Sequence, residues 1–289
     1  MLPGWLKSIP AGNHRAEVAR LDLTRGRDEP ISLREVGEWD VDRQRMLFRI
    51  LVPVHLLARY HIDPLRLTDS SGRSVAFARK GGGEGSYRFE LYHEGGATEA
   101  MAELELADTQ FNQIEVVWVA LQDPLAPRYD IDILPGGGTT LRGAAGRNIV
   151  AEEAAMIAGL SPGQVRRGLR AFKWLAERIE TLMLCLNQHE YMAQPLFYHS
   201  AILFEQFGFA YVQGQALMEE INDAFRTGGE LYARLDESTP FRRMVLAGTI
   251  RGRSWAIHDG IMGDRWNRVR MVKRLGVDAC VRTAPDIIW

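Results

Sequence analysis

The period of the hydrophobic pattern changes partway along the chain, and that change constrains the fold more than any other feature. Up to about residue 135, apolar and polar residues alternate in short bursts, as in half-buried strands. From about residue 147, apolar residues return every 3.5 to 3.6 positions in long runs, as in amphipathic helices. The pattern predicts an α+β protein in two parts: a β-rich domain over 1–135, built as a sandwich or antiparallel sheet, then an antiparallel helical bundle over 147–289. The glycines between Pro135 and Arg147 mark 136–146 as the linker.

In the first part, Tyr87–Tyr92 and Ala102–Leu106 alternate cleanly, and Asp69–Gly72 reads as a turn between strands at Leu65–Thr68 and Ser74–Phe77. Ile114–Leu121 is an apolar run but for Glu115, expected as a strand buried on both faces. Met46–Val52 reads as a further strand and Val54–Tyr60 as a short helix. Asp130 and Asp132 would share one strand face about 7 Å apart. That spacing suits a metal or sugar phosphate, and equally a solvated face.

In the second part, Asn148 is a plausible N-cap for a short helix over Ile149–Ala158. Ser161, Pro162 and Gln164 form a capping-box start. From there Val165, Leu169, Phe172, Ala176, Ile179, Met183 and Leu186 predict one long helix ending before Pro195. A second long helix is expected from Pro195 to Phe225, and a third over Ser254–Leu275.

Within Ala151–Lys173, the run Glu153-Ala154-Ala155, then Gly159 and Val165, resembles the helix-turn-helix of bacterial repressors over about 22 residues. The resemblance implies a DNA-binding regulator whose β-rich domain senses or dimerises, with Arg166, Arg167 and Arg170 meeting phosphates or base edges. A corner joining two packed helices has the same sequence signature.

A cluster of histidines and acids points elsewhere. His189 and Glu190 would end one long helix and His199 would begin the next at similar height, an arrangement suited to a divalent metal such as iron or zinc. His258 and Asp259 sit on the third helix, and Glu205 lies between Phe204 and Phe207. These three are the candidate acid–base groups. Against this, His199, Gln206, Gln213 and Glu220 recur by sevens, as a polar stripe on an apolar helix would. Pro240–Arg274 carries nine basic residues, from which Arg251 and Arg253 are the candidates to hold an anionic small molecule. Lysine occurs only four times among 35 basic residues, so arginine clusters here partly reflect composition.

A formal charge of -2 gives no whole-chain attraction to nucleic acid or to a membrane. No apolar run is long enough to span a bilayer, and the start lacks a signal-peptide pattern. Cys185 and Cys280 both read as reduced core thiols, which favours a cytoplasmic setting. The leading expectation is an enzyme or small-ligand-binding protein with a polar site in the helical part. The alternatives are the DNA-binding regulator and an interaction protein without catalysis. Assembly into a homo-oligomer is compatible with each.

Overall fold

The computed structural model describes residues 26, 28–83, 85–140, 146–263, 266 and 269–289. The chain forms two compact units that alternate along the sequence. The first comprises the described residues up to Gly96 with Glu103–Trp118 and Ala171–Tyr191; the second comprises Ala97–Ala102, Val119–Arg170 and Met192–Trp289.

The expected split into β-rich and all-helical parts is not what the chain adopts. The first unit opens with helices α1 (Leu33–Val36), α2 (Val41–Arg49) and α3 (Val54–Arg59). Met46–Val52, expected as a strand, falls largely in α2. Asp40 caps that helix by accepting from Arg43 N at 2.9 Å, Leu47 and Phe48 form its buried side, and Leu51 just beyond it is buried too. α1 is capped across the unit by Asp108, whose carboxylate accepts from Leu33 N at 2.7 Å and Arg34 N at 2.8 Å.

Strands β1 (Ala76–Lys80), β2 (Ser86–Leu91), β3 (Ala102–Asp108) and β4 (Ile114–Leu121) lie side by side in that order. β1 and β2 are antiparallel, with Ala76 opposite Leu91 and Lys80 opposite Tyr87. β4 is not buried on both faces: Ile114 and Val116 are buried, Val117 is exposed, and Trp118 Nε1 donates to Glu103 at 3.0 Å. Cross-strand charge pairing covers the outer face, with Arg88 bound to both Glu103 and Glu105.

In the second unit, the end of β4 is followed by α4 (Ile149–Ile157), where Asn148 accepts from Ala151 N as the N-cap. The long helix expected from Ser161 starts only at Phe172, as α5 (Phe172–Cys185), which belongs to the first unit. Residues 165–169 instead run alongside 121–129: Tyr129 N donates to Val165 O at 2.8 Å and Asp123 N to Arg167 O at 2.8 Å. Arg170 then turns the chain at a φ of +56°, so Val165 and Leu169 belong to no helical seam.

The long helix expected after Pro195 is likewise three elements: α6 (Tyr198–Gln206), β6 (Ala210–Gln213) and α7 (Gln215–Ala224). Gly208 and Gly214, at φ of +76° and +98°, make the two breaks. α8 (Glu230–Ala233) and a 3-10 helix over Met244–Gly248 lead to α9 (Ile250–His258). The third expected helix ends there, and Arg270–Arg274 is strand β7, lying between β6 and β5 (Glu190–Ala193). β6 and β7 are antiparallel with an irregularity between Tyr211 and Gln213. Buried Trp255 stacks on Phe241 and packs with Ile131, Ala155 and Leu160, its Nε1 donating to Leu160 O at 2.8 Å.

In the expected linker, Gly136–Thr140 folds back by a bridge between Ile133 and Thr139, and Thr140 is buried; residues 141–145 lie outside the described residues. Cys185 is a buried thiol, whereas Cys280, expected in the core, is exposed.

Candidate functional site

α9 carries three polar side chains along one side. Arg251, Ser254 and His258 stand at i, i+3 and i+7, within an arc of about 60° at 100° per residue. Thr249 caps the helix by accepting from Gly252 N at 2.9 Å. α6 packs against α9 and brings His199 onto that row. The His199 Nδ1 lies 2.9 Å from Ser254 Oγ, and the His199 backbone N–H donates to the same oxygen at 3.4 Å. The hydroxyl hydrogen is then free to point at Nδ1.

The imidazole of His258 is fixed from three directions. Its Nε2 lies 3.1 Å from Glu152 Oε1. Phe197 and Trp255 meet it edge-on, at centroid distances of 5.6 and 5.9 Å. Glu152, on α4, is 4% exposed and would be costly to bury alone. Arg147 supplies the counter-charge, with Nε 2.9 Å from Glu152 Oε2 and Nη1 2.8 Å from Asp259 Oδ1. The other Asp259 oxygen accepts from Arg242 Nε at 2.9 Å and from Thr239 Oγ1 at 2.8 Å. One network thus ties the start of α4, the end of α9 and the 239–242 segment together.

Its charges set the proton affinities. Burial works to raise the Glu152 carboxyl, but the bonds to His258 and Arg147 outweigh it and hold the group below the usual carboxylate range. Burial likewise opposes the charge on Arg147, and its two carboxylate partners raise its proton affinity overall. His199 is pushed down to about 3, first by burial and then by the electrostatic influence of Arg251 and His258. It is a neutral imidazole at ordinary pH. Arg251 also holds its proton less tightly than usual because burial strips its solvent.

A cavity of about 450 Å³ opens on this row. It is lined by Leu196, Phe197 and Tyr198 at the start of α6, by Ser254, Ile257 and His258 of α9, and by Trp266. Trp266 is anchored by Nε1 donating to Leu196 O at 2.8 Å. The walls are apolar and aromatic, and the polar groups converge from α9, the mixture typical of small-molecule sites.

The residues singled out by sequence fare unequally. His258 faces the cavity and is the one acid–base candidate that does. Asp259 is fully engaged by two arginines and Thr239. Glu205 is a structural acceptor, 1% exposed and bonded by Tyr211 Oη at 2.6 Å, Thr283 Oγ1 at 2.6 Å and Thr283 N at 3.0 Å. Arg253 is equally structural, with Nε on Ala247 O and Nη1 on Asn222 Oδ1, both at 2.8 Å. Arg251 forms no hydrogen bond or ion pair among the described residues, and its Nε is buried.

Among the described residues no three His, Cys, Asp or Glu side chains gather as a metal site requires. Of the three expected ligands, Glu190 accepts from Gln113 at 2.6 Å, His189 is exposed, and His199 is committed to Ser254. The helix expected to carry Arg166, Arg167 and Arg170 is not formed, so the helix-turn-helix geometry is absent there. Arg166 pairs with Glu99 and Ala126 O, while Arg167 and Arg170 are exposed on irregular backbone. Asp130 and Asp132 are not a strand pair either; Arg128 binds both, together with Glu99. Of the nine basic residues in 240–274, Arg265 and Arg268 lie outside the described residues.

Sequence reasoning missed Arg147, Glu152 and Ser254. The local signal was the acidic residue in the first turn of α4 with Arg147 five positions before it; His258 and Asp259, which complete the network, are over 100 positions away and left no pattern.

The sequence matches no protein-family model and no curated protein, and no solved structure matches the fold. No helix among the described residues is long and apolar enough to cross a membrane.

Proposed function

We propose that the second unit binds a small anionic molecule in the aromatic-lined cavity and exchanges a proton with it through His258. One observation carries the reading: a cavity-lining imidazole has one ring nitrogen tied to a buried carboxylate that is itself held by an arginine. Such an arrangement fixes the tautomer and orientation of a general acid–base group. With Nε2 committed to Glu152, Nδ1 is the nitrogen left for a ligand. Glu152, Arg147, Asp259, Arg242 and Thr239 are then positioning residues, and none touches the ligand.

The test follows the His258 ring resonances by NMR while a panel of small aromatic acids, amides and phosphate esters is added, with turnover of chromogenic esters and phosphates measured alongside. Binders are expected to shift the His258 signals, and His258→Gln is expected to abolish turnover while the circular-dichroism spectrum is kept. If no compound in the panel moves the His258 resonances, the reading is wrong.

A further inference from the structure

Charge counting along α9, which lines the cavity through Ser254, Ile257 and His258, leaves a surplus of positive charge on that helix. Glu152 and Asp259 are the acids of the network, and Arg147 and Arg242 already offset them one for one. Arg251 has no carboxylate opposite it among the described residues, although its Nε is buried. An unpaired, partly desolvated guanidinium is costly to keep and is commonly found where an anion completes it. Arg251 stands two helical turns before His258, about 10 Å along the axis, with Ser254 between them. Its field reaches His199, which contacts Ser254. Two neutral groups able to donate, an imidazole and a hydroxyl, therefore share this side of the helix with a cation that no acid faces among the described residues.

We infer that Arg251, His199 and Ser254 form an oxyanion-binding subsite for the carboxylate or phosphate group of a ligand whose apolar body lies against Phe197, Ile257 and Trp266. The inference rests on the proposed use of the cavity and adds which groups hold the ligand's charge and which head groups fit them. His199 keeps one ring N–H as donor because it is neutral. The Ser254 hydroxyl turns from Nδ1 to the ligand. Arg251 provides the charge and two further donors.

The test compares benzoate, phenyl phosphate and neutral benzamide by isothermal titration on the full chain. Benzoate or phenyl phosphate is expected to bind about tenfold to a hundredfold more tightly than benzamide, the range for a hydrogen-bonded charge. Whichever of the two is favoured identifies the head group. Arg251→Gln is expected to erase that preference, leaving benzamide affinity unchanged, and Arg251→Lys to retain part of it. Benzamide binding as tightly as both anions in the wild type overturns the subsite and the anionic nature of the ligand, and leaves binding in the cavity and proton exchange through His258 standing. An anion preference that survives Arg251→Gln overturns the subsite alone. If none of the three binds, both fall together.

Discussion

Replacing Glu152 is the sharpest test of the network behind His258. In Glu152→Ala, Arg147 keeps only Asp259, and His258 loses the acceptor at 3.1 Å. Breaking a buried ion pair costs about 3–5 kcal/mol. The surviving Arg147–Asp259 bond, at 2.8 Å, places this case near the lower end, about 3 kcal/mol. Glu152→Gln keeps the volume and one acceptor oxygen, which satisfies either Arg147 or His258 but not both, so about 2 kcal/mol is expected. Urea unfolding followed by Trp fluorescence reads these losses. The acid side supplies a second readout. The folded Glu152 carboxyl sits below its ordinary value of 4.5, so its contribution is complete above that value and fades as pH falls through the folded value. Glu152→Gln should flatten that part of the stability–pH curve. In a double-mutant cycle, Glu152→Gln with His258→Asn should show a coupling of about 1 kcal/mol or more. Losses that simply add, within about 0.5 kcal/mol, would refute the claim that Glu152 holds His258.

Three further outcomes are expected. His199 is neutral in the fold down to about pH 3, whereas its unfolded form gains a proton below about 6.5; stability contributed by His199 is therefore full above 6.5 and falls by about 3 kcal/mol by pH 4.5, as urea titrations at several pH values will show, and His199→Asn should remove that slope. Arg253→Met strands Asn222 Oδ1 and Ala247 O in the core and should cost about 3 kcal/mol, whereas Arg251→Gln should change the thermal midpoint little or raise it, a contrast that differential scanning calorimetry measures. Glu205→Gln removes an acceptor shared by Tyr211 and Thr283 and should destabilise by about 2–3 kcal/mol without altering affinity for any cavity ligand in the titration assay.

Local signals were read well where local energetics decide. β4 was legible to the residue at Ile114–Leu121, and α4 at its Asn148 cap, because an apolar run and a capping side chain act within a few positions. The helical seams failed where distant backbone intervened. Val165 and Leu169 have the spacing of a helix, but Tyr129 and Asp123 claim the carbonyls around them, and a helix would have to release those bonds. The passage through Gly208 and Gly214 carried its own warning, since two glycines six apart in one helix are costly. Of the site, His258 and Arg251 were visible as residue types in a basic segment. Ser254 and Glu152 were not, because their roles come from partners on other elements. Glu205 and Arg253 looked functional because charged residues in apolar surroundings are rare, and here the rarity is explained by complete hydrogen bonding within the fold.

The alternation of the two units along the chain has a consequence for synthesis. The first unit is closed by Ala171–Tyr191, where Leu186 O accepts from Ile31 N and Gln188 donates to Ile31 O. Between Trp118 and Tyr191 the ribosome must add 73 residues (191 minus 118) before that segment is available. At about 5–20 residues per second this takes roughly 4–15 s. Through that interval α2 lacks α5, the helix it packs against, and leaves apolar surface uncovered. A nascent chain arrested between those points should therefore bind holdase chaperones, and one arrested well beyond Tyr191 should release them.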